Sequence, residues 1–178
     1  MRTRVFTPRT PWTVLTRIVM LAMWLPVAAA LAVPMQNDSN GFEGIPWGAA
    51  FSESDTFVKI EDGGRVQTYE LKGTAPTLGP AAVDSMRFST IDGKFARVMV
   101  RYSGKEAHDR ILGFLQQQFG PLDRTPGQVA GGVVKFFDWQ GADSEIILRY
   151  DVRTSQGVIF FESQVFRSQF NESASPAP

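Results

Sequence analysis

His108 is the only histidine in the chain, and there is no cysteine. Those two facts bound most of the side-chain chemistry available. A zinc site needs three or four ligands, normally Cys and His with some Asp or Glu, and one histidine supplies a single candidate. Lack of cysteine excludes disulfides, thiol nucleophiles and thiolate clusters. A Ser-His-Asp arrangement would have to recruit His108, and no G-x-S-x-G elbow accompanies it. Its place three and four residues before Ile111 and Leu112 predicts a helix-surface or boundary histidine rather than a base. The neighbouring acids Glu61 and Asp62 could in principle act as a glycosidase pair. Adjacent acids in a turn are more simply solvated. Gly63-Gly64 and Ala130-Gly131-Gly132 lack the Lys-Ser/Thr of a phosphate loop and the Rossmann spacing, so both read as turns. Asn37-Asp38-Ser39 and Asn171-Glu172-Ser173 match a glycosylation acceptor pattern short enough to arise by chance. Neither a metal nor a cofactor is expected.

One set of residues does suggest recognition. Lys135, Phe137 and Trp139, Ile147 and Arg149, and Phe160, Glu162, Gln164 and Phe166 alternate along three consecutive strand-like runs. Together they make a mixed aromatic and charged surface of the kind enriched in protein interfaces. Phe137, Trp139, Arg149, Phe160 and Phe166 are the candidate partner-binding residues. The competing reading is that the first half of the chain packs over them and makes them core.

The element that positions these strands is a helix over 105–120. Ser103 or Gly104 can cap it, Glu106 suits the positive end of its dipole, and Gly120-Pro121 ends it. Ile111, Leu112, Leu115 and Phe119 form its apolar stripe, with Phe114 at the edge. Full burial of each of those four side chains stabilises by roughly 1.5–3 kcal/mol, so the helix should lie over a sheet. Strands are expected at 133–140, 144–152 and 157–167. Alternation puts Ile146, Leu148, Tyr150 and Val152 on one face of the second run.

Before the helix, strands are expected at 65–71, 85–91 and 94–102. Asp92-Gly93 is the hairpin signal, because a type I′ turn needs positive φ at both positions. A two-residue loop would pair Ile91 with Lys94, Thr90 with Phe95, Phe88 with Arg97 and Met86 with Met99. Neither face of that hairpin is purely apolar, so which is buried stays open. A short helix at 53–60, capped by Ser52 or Ser54, is weighed against the β-branched Thr56 and Val58. With it, residues 53–102 and 105–167 both read helix, strand, strand, strand.

The ends of the chain differ in composition from the middle. Four arginines occur in the first 17 residues, no acid precedes Asp38, and an apolar run follows over 18–31. That is the anatomy of a secretory signal, with small-x-small sites at Ala28-Ala29-Ala30 and Ala30-Leu31-Ala32 and cleavage favoured after Ala32. The rival is an uncleaved anchor over 12–33, interrupted by Arg17. Membrane contact would then be confined to this segment. Either way a periplasmic or secreted location is expected. Beyond it, 14 basic residues face 18 acidic ones, a net charge of −4. A mildly acidic domain without a Lys/Arg cluster has no electrostatic footprint for nucleic acid. Residues 33–41 read as a linker, 42–170 as one domain and 171–178 as a disordered tail. Of all 178 residues, 43% are hydrophobic and 20% charged, which is ordinary for a globular domain.

Gly44-Ile45-Pro46-Trp47-Gly48, Phe88 with Asp92-Gly93-Lys94-Phe95, and Phe119-Gly120-Pro121 followed by Trp139 and Ile146-x-Leu148-x-Tyr150 together resemble a group of small exported bacterial proteins of unassigned function. The last segment is similar to the SmpA/OmlA-type outer-membrane assembly lipoproteins. Tandem helix-plus-sheet units resemble the architecture of the beta-lactamase inhibitor protein. Both likenesses imply protein–protein binding, and neither carries over a catalytic residue. The chain departs from the lipoproteins in lacking a cysteine to carry lipid.

The expected fold is therefore α+β, an antiparallel sheet of about six strands with one or two packed helices. The expected function is a non-enzymatic exported module that binds an unknown protein partner. The alternatives are a small carboxylate-using hydrolase and a protein that binds a small ligand between helix and sheet.

Overall fold

A computed structural model describes residues 33–122, 128–131 and 133–174. The signal-sequence reading of residues 1–32 lies outside them, as does the end of the predicted tail. Among the described residues no helix is long and apolar enough to cross a membrane.

The Asp92-Gly93 turn forms as its residue types dictate, with φ of 50° and 74°. It joins β8 (Ser85–Ile91) to β9 (Lys94–Ser103). The strands before it are β1 (Val33–Pro34), β2 (Gly41–Phe42), β3 (Ile45–Pro46), β4 (Phe57–Gly63), β5 (Val66–Leu71), β6 (Thr77–Leu78) and β7 (Ala81–Ala82). Ile91 faces Lys94 and Thr90 faces Phe95, as expected. The ladder then slips by one residue, so Phe88 faces Val98 and Met86 faces Val100 in place of Arg97 and Met99. This bulge sorts the mixed hairpin. Met86, Phe88, Val98 and Val100 become one buried apolar face, while Arg87, Met99 and Arg101 turn to the other.

After β9 come α1 (Lys105–Phe119), β10 (Gln128–Gly131), β11 (Val134–Gln140), β12 (Ser144–Asp151), β13 (Gln156–Ser163) and α2 (Arg167–Ala174). The main sheet runs β1-β11-β12-β13-β9-β8-β5-β4, with β10 on β11, nine strands in all. Seven of them have six residues or more. Every long pair is antiparallel; only the two-residue β1 runs parallel to its neighbour. The fold is thus α+β, with more strands than the six expected. Residues 167–174 form a helix where the sequence pattern suggested strand and then tail.

The helix expected at 53–60 is replaced by β4. Phe57 packs its ring 4.7 Å from Phe51 and 4.9 Å from Phe88, and β4 completes the sheet edge beside β5. β-Branched Val58 and Ile60 suit that edge better than a helix. The first half is therefore a meander of β4, β5, β8 and β9, and the two halves are not tandem αβββ units.

Helix α1 matches its prediction. Gly104 and Gly120 bracket it at φ of 99° and 105°. Ile111 and Leu115 are fully buried, and Leu112, Phe114 and Phe119 pack on the same core. Ser103 does not cap the helix; its hydroxyl donates to Asp84 at 2.6 Å.

Candidate functional site

Register decides which side chains share a face of the sheet. Gln140 stands opposite Glu145, so odd-numbered residues of β11 face even-numbered residues of β12. Phe137 therefore lies beside Leu148, and Trp139 beside Ile146. Both belong to the helix-covered core, at 2% and 0% exposure. The Trp139 indole N–H donates to the Gly120 carbonyl at 2.9 Å, tying β11 to the end of α1. As partner-binding residues Phe137 and Trp139 are thus corrected to core, because strand alternation alone carries no cross-strand register. Phe166 is displaced as well. It sits past the end of β13 and packs against a small cluster of Ile91, Ala96 and Phe170.

Arg149 and Phe160 do share the open face. Across it run two exposed or half-buried rows. One is Phe136, Arg149, Val158 and Arg101; the other is Asp138, Ile147, Phe160, Met99 and Arg87. Phe136, which the sequence reading passed over, is 40% exposed, and the Arg149 guanidinium lies 5.6 Å from its ring centroid. Arg87 is paired with Glu70 at 3.0 Å. Among the described residues, neither Arg101 nor Arg149 has an ion-pair partner, and both are exposed.

A third row, Glu145, Glu162 and Arg97, is closed over by α2. Phe170 stacks beneath the Arg97 guanidinium at 3.7 Å. Arg97 meets Glu162 at 2.8 Å, and Arg167 pairs with Glu145. Burial pushes the carboxyls of Glu145 and Asp138 up and the Arg97 guanidinium down. Glu145 and Glu162 are 3% and 6% exposed, so these carboxylates anchor α2 and have no open path to a substrate.

His108 is buried at 3% exposure, which corrects the surface or boundary reading. Its ring stacks on Tyr150 at 3.8 Å and 5°, and its Nδ1 lies 2.8 Å from the Tyr102 hydroxyl. Desolvation lowers its pKa to about 4, and burial raises that of Tyr102. The imidazole is neutral near pH 7 and serves as an aromatic packing element. Tyr102 in turn lies flat on Gly157, where an added Cβ would fall 2.0 Å from the ring. Among the described residues, no group of three or more potential ligands is placed to hold a metal.

No family model, curated protein or solved structure matches the chain.

Proposed function

We propose that the chain is a non-enzymatic exported interaction module whose docking surface is the open face of β11, β12, β13 and β9. The partner would be a protein segment in which apolar side chains are flanked by carboxylates. One observation carries this reading: exposed Arg101 and Arg149, without ion-pair partners among the described residues, stand on either side of Val158, beside the half-buried apolar row Ile147, Phe160 and Met99. Arginine next to apolar and aromatic side chains is the composition enriched at interface centres. Unsatisfied guanidinium groups also select carboxylates and speed encounter with them. Export rests on the arginine-then-apolar pattern of residues 1–32, and protein binding agrees with the resemblances carried by the FGP and Trp139 motifs. A carboxylate hydrolase is disfavoured because the clustered acids are sealed under α2.

The test uses an immobilised peptide with two phenylalanines flanked by glutamates, and a counterpart with lysines in their place. Surface plasmon resonance should register the acidic peptide only, with binding weakened by salt. Arg101→Glu with Arg149→Glu should abolish it at an unchanged thermal midpoint. Equal binding by that double variant, or preference for the lysine peptide, would overturn the proposal.

A further inference from the structure

The opposite side of the molecule holds a cavity of about 250 Å³ that the docking surface does not use. It lies between the C-terminal half of α1, residues 41–48 and the covered face of β12 and β13. The chain expected to be a linker builds one of its walls. Gln36 N–H donates to the Phe119 carbonyl at 3.1 Å, and the Asn37 amide donates to Gln118 O at 2.6 Å. Asp38 accepts from the N–H groups of Asp143 and Ser144 at 2.6 and 3.2 Å. Its carboxyl is held below the usual range by these bonds, against the opposing effect of burial. Trp47 donates to Ser144 Oγ at 2.9 Å, and Gly48 N–H to Phe95 O at 2.7 Å. The wall is fixed from both ends, so the cavity is formed in advance of any ligand.

Its lining has a consistent chemistry. Phe42, Trp47, Phe114, Phe119 and Phe161 supply aromatic surface, and among the described residues Glu43 is the only charged side chain in the lining. Glu43 sits at the tip of the β2–β3 turn, at φ of 48°, and among the described residues it has no hydrogen-bond or ion-pair partner. Partial burial pushes its carboxyl up. Among the described residues no lysine or arginine lines the cavity, so an anionic ligand would meet the Glu43 carboxylate with no opposing cation. Apolar cavities of roughly 150 Å³ accept a benzene ring, and this one is large enough for two fused rings. Aromatic walls and a lone carboxylate both attract a cation.

We propose that this cavity binds a small aromatic amine, with its ring system among Phe42, Trp47 and Phe161 and its ammonium group at Glu43. Nothing in this depends on the open face, so either proposal can fail without the other.

Three probes with one ring system separate the contributions: 1-naphthylmethylamine, 1-naphthalenemethanol and 1-naphthoate. Each is titrated into the full chain by calorimetry, and the Trp47→Phe variant repeats the titration as a check on the ring contact. The amine should bind about tenfold more tightly than the alcohol, and the naphthoate should not bind. Glu43→Gln should bring the amine to the level of the alcohol. Gln118→Trp, a substitution at an exposed helix position on the rim, should block the amine and the alcohol at an unchanged thermal midpoint. Saturable binding of none of the probes, an amine preference that survives Glu43→Gln, or binding that survives Gln118→Trp would overturn it.

Discussion

On one face of the sheet Phe137, Leu148, Ile159 and Val100 lie side by side at 2% exposure or less. One residue away along the same four strands, Phe136, Arg149, Val158 and Arg101 form the corresponding row on the open face. Within β11 the sequence scarcely distinguishes the two, since Phe136 and Phe137 are adjacent; the arginines of β12 and β9 mark the open row. Both rows carry a phenylalanine and a β-branched residue, and both have aromatic neighbours. What separates them is that α1 and residues 33–48 cover one and leave the other. The exposure of Phe136 and the burial of its neighbour Phe137 therefore follow from position, and the energetic weight of each face should differ accordingly.

The sharpest way to break this comparison is Trp139→Ala. Removing a fully buried indole and its hydrogen bond to Gly120 should cost about 3–5 kcal/mol, measured as a shift of the denaturant midpoint. A change below about 1 kcal/mol would mean that the covered face is not the core.

A smaller effect, also confined to the covered face, comes from His108. Its folded pKa of about 4 lies below the ordinary value of 6.5, so the unfolded chain takes up the proton first on acidification. Stability from this group is complete above pH 6.5 and is lost as pH falls towards 4, by about 3 kcal/mol. Lys105 and Lys135 reinforce the lowering and Asp109 opposes it. Glu145 and Asp138, with raised folded pKa values, act in the opposite sense, since their contribution is lost as pH rises. Comparing urea midpoints of wild type and His108→Gln across that range isolates the histidine. The variant should lose less stability than the wild type as pH falls from 6.5 towards 4, and parallel profiles would refute a buried neutral imidazole.

The smallest effect belongs to the open face. Phe136→Ser should change stability by no more than about 0.5 kcal/mol, as surface substitutions do. A loss of several kcal/mol in the same urea measurement would show that something covers this face.

Local rules explain why parts of the fold were legible early. Helix α1 carries its own apolar stripe and glycine ends, and the Asp92-Gly93 turn needs only its two residues. The structure departs from the sequence pattern wherever a distant partner decides. Nothing in residues 53–60 announces that Phe57 will pack on Phe51 and Phe88, so a marginal helix pattern could not be told from an edge strand. The parity of β11 against β12 depends on how many residues the turn at 141–144 takes up, and a miscount moves Phe137 and Trp139 from core to surface on paper. The burial of His108 depends on Tyr150, a partner far along the chain on which its ring stacks.

The sequence by itself determined the absence of cysteine, the solitary histidine, the α1 helix and the hairpin at Asp92-Gly93. Each depends on residue identity or on spacing within one element. Tertiary structure alone decided that Arg149 and Phe160 share an open face while Trp139 does not, and that residues 33–48 wall a cavity around Glu43. Those outcomes depend on register and on which segment covers which surface, and such contacts join residues far apart in the chain.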